Sequence, residues 1–577
     1  MKIKVSDYIA DFLRAQNTEH VFELAGGMIA HILDSFYQRK STAVISVHHE
    51  QAAAFAVDAY GRITGRPSVA LATSGPGATN LLTGIGSCYF DSSPSLFITG
   101  QVNTHEQKGE RDIRQLGFQE TDIVSMAGAV TKKSFKINSA DEVVSTLNEA
   151  YRLAISGRPG PVLIDIPMNV QRIEIEVKQP EKIFLNEEKL SLESENNIQL
   201  LLKALAIAEK PLILVGGGVN CAQAKALFLQ FVEIAQIPIV CSLMGLDVIA
   251  YSHEFRVGFI GSYGNRWANI ALGESDCLLV LGSRLDIRQT GANIDSFSGN
   301  KKIFHVDCDE NEINNRLSNC IPIVADLKVF LNYTNHVLST KTLPTYSAWK
   351  NKIAELNKLW PDTKELSNVK GINPNIFLHF LSQNSKQSAG YLADVGAHQM
   401  WAAQSLELQS HQFFLTSGGM GAMGFSLPAA IGASLATKKK PVVVIVGDGS
   451  MQVNIQELQT VVRNKLPIKI IVINNQSLGM ITQFQDSYFE SRYQSTCWGY
   501  SAPDFCAIGS AYGIATRKIL VEADVASAIE WLWSKPDRPM LLEVMIQQHL
   551  HVYPKVAFGK PITEMEPFVK PIEMEGT

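Results

Sequence analysis

Residues 441–475 read PVVVIVGDGSMQVNIQELQTVVRNKLPIKIIVINN, and the fold follows from them. Residues 442–446 are a short β-branched run that ends in Gly447-Asp448-Gly449-Ser450. Residues 454–463 have the length and spacing of a helix, and 468–473 form a second apolar run ending in Asn474-Asn475. Strand, helix and strand in that order predict a βαβ unit with parallel strands. Both strands of such a unit end at one sheet edge, so Asp448 and Asn475 should be neighbours although 27 positions apart. A carboxylate and an amide oxygen on one rim, beside glycine backbone, suit a hard cation that carries a diphosphate. Magnesium takes oxygen ligands and commonly keeps phosphate oxygens among them. Gly447 and Gly449 let the backbone approach phosphates, and Gly449 and Ser450 can offer them N–H groups. A Gly-Asp-Gly turn alone is most often an ordinary strand-to-helix turn. The asparagine pair at the next strand end turns the reading toward a ligand.

The same pattern recurs along the chain. Apolar runs at 68–73, 161–166, 212–215 and Cys277–Leu281 alternate with helix-length segments. This predicts parallel sheets covered by helices on both faces. Two stretches interrupt it. Residues 178–196 are charged and carry Pro180, and 336–375 are polar with Pro344, Pro361 and Pro374. Trp349, Ile353, Leu356 and Trp360 suggest a docked helix inside the second. The fold class expected is α/β, with three doubly wound parallel-sheet domains at 1–178, 195–337 and 345–577. A faint echo between ALATSGPG (70–77) and FFLTSGG (413–419) suggests similar first and third domains.

Composition bounds the function. A chain of 577 residues predicts three or four domains at about 100–200 residues each. With 51 basic and 56 acidic residues the net charge is -5, which speaks against a nucleic-acid partner. Eight cysteines without a CxxC pair speak against a zinc knuckle or a disulfide scaffold, and for scattered thiols in a reducing compartment. Val5, Tyr8, Ile9, Phe12 and Leu13 fall at helical spacing with Asp7, Asp11 and Arg14 between them. That is an amphipathic core helix, not a signal peptide. No apolar run nears the roughly 20 residues that span a bilayer. No membrane partner and a cytoplasmic location are expected.

Gly-Asp-Gly followed at this spacing by Asn-Asn resembles the thiamine diphosphate motif, and the chain from about residue 5 to 554 resembles acetolactate synthase large subunits. The resemblance implies a pyrimidine-binding first domain, a nucleotide-binding-like middle domain and a diphosphate-binding third domain. It implies that Asp448, the Asn475 side chain and the Ser477 carbonyl hold magnesium. Glu50, in His48-His49-Glu50-Gln51 ahead of a helix at 52–62, is by itself a helix-start carboxylate. It matches the family's glutamate, which bonds the aminopyrimidine ring and places its proton. His48 and His49 are read as structural. In TSGGMGAMGFSLP (416–428), Gly421 would bond the aminopyrimidine, and Met423 would bend the cofactor so that its reacting parts meet. Gly396, Ala397 and His398 in DVGAHQMWAAQ (394–404), with Gly449, Ser450 and Met480, match further cofactor contacts. Pro76, in the rigid turn TSGPGATN (73–80), lies near the thiazolium ring in the family, and Phe118 and Gln119 match its substrate-channel pair. Arg284 and Arg288 in GSRLDIRQTG (282–291), Arg158 in SGRPGP, and Asp326 match positions that hold a structural FAD.

The activity implied is decarboxylation of pyruvate and carboligation to a second 2-oxo acid. A homodimer or homotetramer, with the cofactor between two subunits, and a regulatory subunit are the partners implied. Several positions depart from the family. Ala397 stands for glutamine and Asp394 for glycine, which removes one diphosphate hydrogen bond. Phe484 replaces a tryptophan that shapes the second-substrate site, and 101–118 is about six residues longer than in the family. These departures leave a rival open: a thiamine diphosphate enzyme with another donor or acceptor. A pyruvate oxidase and a non-catalytic paralogue are weaker rivals.

Overall fold

Apolar runs that do not alternate must be covered on both faces, and the strands they form are. Every residue of Val442–Gly447, Ile468–Asn474, Ser95–Gln101 and Pro161–Pro167 is buried. The computed structural model describes residues 2–40, 42–185, 189–366 and 368–572, so residues 186–188 of the charged connection lie outside it. Three six-stranded sheets form, each parallel throughout. The first holds His20–Glu23, Ala43–Ser46, Ser68–Ala72, Ser95–Gln101, Lys133–Lys136 and Pro161–Pro167. The third holds Gly390–Ala393, Phe413–Leu415, Val442–Gly447, Ile468–Asn474, Ala515–Ile519 and Met540–Met545. With strands numbered along the chain within each sheet, both have the order 2-1-3-4-6-5.

The first and third domains are therefore alike, as the echo suggested, but the echo marks different places. ALATSGPG follows the third strand of its sheet and FFLTSGG the second strand of its own. The counterpart of Ser68–Ala72 is Val442–Gly447, so the Gly75-Pro76 turn corresponds to Asp448-Gly449.

The middle sheet runs from Pro211–Val215 to Ile321–Val324 in the order 3-2-1-4-5-6, the dinucleotide-binding arrangement. Its first and fourth strands end in touching glycines: Gly218 N donates to Gly282 O at 3.0 Å. The docked helix is present as Ser347–Leu359. Trp349 Nε1 donates to Pro211 O at 3.1 Å, so this helix rests on the middle sheet.

Two helix expectations need correction. The helix placed at 454–463 starts as a 3-10 turn, Ile455–Glu457, and continues as Leu458–Arg463, and a separate helix, Asp448–Val453, precedes it. The break is at Asn454, whose Nδ2 donates to Gly424 O at 2.9 Å and Gln51 Oε1 at 3.0 Å, so tertiary bonds override local propensity. The helix placed at 52–62 is longer, Glu50–Thr64, and Glu50 is its first residue. Among the described residues all eight cysteines are free, and no helix is long and apolar enough to cross a membrane.

The first domain packs on the third through Glu50–Thr64 and Ser426–Ala436. Phe55 and Phe425 meet edge to face at 5.4 Å. A Cβ on Gly432 would stand 2.0 Å from Ala56 O, so only glycine fits that crossing. Gly432→Val should destabilise the chain by about 2 kcal/mol or more. Thermal unfolding should show a lowered midpoint, and an unchanged one would remove this crossing as a constraint.

Candidate active site

Register brings the two halves of the opening motif together. Gly447 pairs with Ile473 on adjacent parallel strands, so Asp448 and Asn475 leave the sheet side by side. The Asn475 amide oxygen faces Asp448 Oδ1 at 3.2 Å and the Ser477 carbonyl at 2.8 Å. Turned over, the amide would donate to both oxygens. The orientation with oxygen inward is the one a cation favours, because octahedral oxygens about 2.1 Å from magnesium lie about 3.0 Å apart. The three oxygens therefore fit a magnesium ion. Burial pushes the Asp448 carboxyl up to about 6, and the bonds it accepts oppose that rise.

A cavity of about 200 Å³ opens beside these oxygens. Gly396, Ala397, His398, Gly421, Met423, Gly449, Ser450 and Met480 line it together with Asp448, Asn475 and Ser477. Burial drives His398 down to about 3, so its ring is neutral, and Nε2 accepts from Gly447 N at 3.2 Å. The ring thus fixes backbone ahead of Asp448. Asp394 binds the loop that carries Met423. Its carboxylate accepts from Gly424 N at 2.9 Å and from Ser426 N and Oγ, each at 2.7 Å. Gly424 has φ +80°, which favours glycine.

Glu50, Pro76, Phe118 and Gln119 lie elsewhere, in the first domain. Glu50 is buried, and Oε2 accepts from Asn80 Nδ2 at 2.9 Å. A Cβ on Gly77 would stand 3.1 Å from Glu50 Oε1, and one on Gly75 would stand 3.0 Å from Gln119 Cβ. Pro76 begins the short helix between them. Gln119 has φ +67°, uncommon outside glycine and a mark of functional loops. Phe118 is 80% exposed. None of Glu50, Pro76, Phe118 and Gln119 lines the 200 Å³ cavity. His49 caps its helix, with Nδ1 accepting from Gln51 N at 3.1 Å, a structural role.

A second cavity, of about 760 Å³, lies at the carboxyl edge of the middle sheet and reaches all three domains. Arg158, Arg284, Arg288 and Asp326 all line it, as do Gly217 and Gly218. The crevice between strands 1 and 4 of a 3-2-1-4-5-6 sheet is where dinucleotides bind. Arginines suit the diphosphate, and Asp307 and Asp326 suit ribose hydroxyls, so the lining fits FAD. Arg158 is paired with Glu312 and donates from Nε to Ser92 Oγ at 2.8 Å, and Arg284 pairs with Asp286 at 3.3 Å.

Sequence reasoning missed several residues. Tyr500 Oη donates to Asp448 Oδ2 at 2.9 Å and stands over Gly449. It comes from a stretch of little regular structure, where no pattern could announce it. Asp394 entered only as a departure from the family, yet a carboxylate directly after Gly390–Ala393 was a legible signal for a backbone clamp. Asn80 was in view, in TSGPGATN, without its partner Glu50.

Three models of thiamine pyrophosphate enzymes match the chain: the N-terminal TPP binding domain at residues 3–126, the central domain at 198–333 and the C-terminal TPP binding domain at 394–544. The acetolactate synthase large subunit of Lactococcus lactis is 35% identical over 561 residues, covering 97% of this chain and 95% of that one. The acetolactate synthase isozyme 2 large subunit of Escherichia coli is 36% identical, covering 97% and 98%. Chloroplastic acetolactate synthase 2 of Nicotiana tabacum is 35% identical, covering 97% and 85%.

Tyr500→Phe keeps the ring and removes the hydroxyl from Asp448. Magnesium should then be needed at about 10-fold higher concentration to bind the thiamine cofactor. A magnesium titration of cofactor binding reads this, and an unchanged midpoint would show that Tyr500 does not position Asp448.

Proposed function

The chain belongs to the thiamine pyrophosphate enzymes, alongside acetolactate synthase large subunits, and from this we infer that it decarboxylates pyruvate and joins the remaining two-carbon unit to a second 2-oxo acid. The observation that carries this reading is the trio of oxygens from Asp448, Asn475 and Ser477 at the mouth of a cavity walled by Gly421 and Met423. When bound, thiamine diphosphate supplies a carbon nucleophile that takes up the electron pair released with carbon dioxide. The chain does the rest. Asp448, Asn475 and Ser477 hold magnesium, and through it the diphosphate. Backbone N–H groups of Gly449 and Ser450 complete that hold. Met423, at the rim, sets the angle of the rings. Glu50 places a proton on the aminopyrimidine ring, and Asn80 keeps its carboxylate in position. FAD occupies the 760 Å³ cavity in a structural role, which a visible absorption spectrum of pure protein reads directly.

Asp448 lines the 200 Å³ cavity and Glu50 of the same chain does not, so the reading calls for a second copy of the chain to bring a glutamate to that cavity. Phe118, 80% exposed, and Ile481, 51% exposed at the Asp448 cavity, support such a contact. A homodimer is the minimum active unit, and two dimers make a tetramer. The relatives' name, large subunit, supports a regulatory companion.

One alternative keeps support from the structure: a different acceptor. Lys108 N and Leu116 N both donate to the Glu120 carboxylate, at 2.6 and 2.9 Å, so the long segment forms a loop beside Phe118 and Gln119. Phe484 packs on Tyr488 and Phe489, at 4.8 and 5.7 Å. Product analysis with pyruvate alone, then with pyruvate and aldehydes, separates the readings. Acetolactate from pyruvate alone is the expected result, and none would sink the first reading.

Glu50→Gln should bind cofactor and lose most turnover, whereas Asp448→Ala should lose magnesium and cofactor together. Mixing the two inactive variants should restore up to about a quarter of wild-type activity, since half of random pairs are mixed and each has one intact site. No restoration would contradict a site shared between copies.

A further inference from the structure

One segment contributes to the walls of both cavities. Phe413, Phe414, Leu415 and Gly418 line the large cavity, and Gly421 and Met423 line the small one. Phe413–Leu415 is a three-residue strand at the edge of its sheet, so the sheet holds it on one side only. Beside bonds within its own domain, such as Gln399 Nε2 to Thr416 Oγ1 at 2.6 Å, the segment is held by the other two domains. Asp247 Oδ2 accepts from Phe414 N at 3.1 Å. Arg62 Nη1 donates to Thr416 O at 2.9 Å. Asp91 accepts from Gly418 N at 3.0 Å and Gly419 N at 2.7 Å, one on each carboxylate oxygen. The packing at this point is tight, since a Cβ on Gly418 would stand 2.4 Å from Met244 Sδ.

Arg62, Asp91 and Asp247 themselves line the large cavity, and both carboxylates are buried. Each is anchored behind. Asp247 accepts from Asn220 Nδ2 at 2.7 Å, and Arg62 pairs with Asp58 at 3.5 Å and Asp91 at 3.7 Å. A ligand that displaces water from this wall lowers the local dielectric, and carboxylate–amide bonds strengthen as it falls.

We propose that Asp91 and Asp247 couple the two cavities, so that a dinucleotide in the large one fixes the segment presenting Gly421 and Met423 to the thiamine cofactor. Each cofactor then tightens the other, because linkage between two binding sites is reciprocal. The coupling rests on reading the cavities as flavin and thiamine sites.

The test uses the full chain freed of both cofactors. FAD is titrated, followed by flavin fluorescence, with and without saturating thiamine diphosphate and magnesium. FAD should bind about 5-fold tighter or more when the thiamine cofactor is present, and thiamine diphosphate should gain by the same factor from FAD. In Asp91→Asn both cofactors should still bind, with the gain reduced below about 2-fold, because one amide loses its acceptor. Asp247→Asn reads the other contact independently, should the first variant fail to fold. No gain in the wild type, or an undiminished gain in the variants, overturns the coupling while leaving both sites standing. Binding of neither cofactor by the wild type overturns the reading of the sites, and the coupling with it.

Discussion

The crossing of Glu50–Thr64 and Ser426–Ala436 is the contact on which the rest depends. At Gly432 it leaves no room for a side chain, so the first and third domains meet in one arrangement. Each helix follows the second strand of a sheet with the order 2-1-3-4-6-5, and like elements therefore face one another. With the domains paired in this way, the Glu50 cluster and the Asp448 cavity are separate features of one chain. On the function proposed above, a second copy would then bring its Glu50 to that cavity.

Buried carboxylates recur as backbone clamps. Asp247 of the middle domain, Asp91 of the first and Asp394 of the third all grip residues 414–426, through the N–H groups of Phe414, Gly418, Gly419, Gly424 and Ser426. Burying a charge is costly unless it is met by hydrogen bonds, and these bonds also fix where the backbone lies. The loop that shapes the thiamine cavity is thus positioned by all three domains. Anion binding in a chain of net charge -5 has the same local character. A cation between three oxygens and a few N–H groups decide it, whatever the total charge.

Much of this was legible beforehand. The non-alternating runs identified buried parallel strands, because a strand covered on both faces has no polar side to show. Strand ends in such a sheet share an edge, so Asp448 and Asn475 could be paired from a distance. Other features were hidden for equally physical reasons. The Gly-Asp-Gly-Ser stretch read as a turn, yet Asp448–Val453 is a helix of its own, cut off from the next by Asn454, which uses its amide on Gly424 and Gln51. Thr-Ser-Gly at two strand ends suggested like architecture in the first and third domains, which both have, although the two strands it follows are not counterparts. Tyr500 lies 52 positions from Asp448 in a stretch without periodicity.

By itself the sequence determined the α/β class, the three sheets and the meeting of Asp448 and Asn475 at one rim. These depend on local periodicity and on the rule that parallel strands end together. Only the tertiary structure decided that Glu50 stays out of the cavity that Asp448 lines, that Asp394 clamps the backbone of Gly424 and Ser426, and that residues 413–423 contribute to the walls of two cavities. Those facts depend on how helices cross and which buried carboxylate meets which amide. Contacts between residues hundreds of positions apart leave no period in the chain from which they could be read.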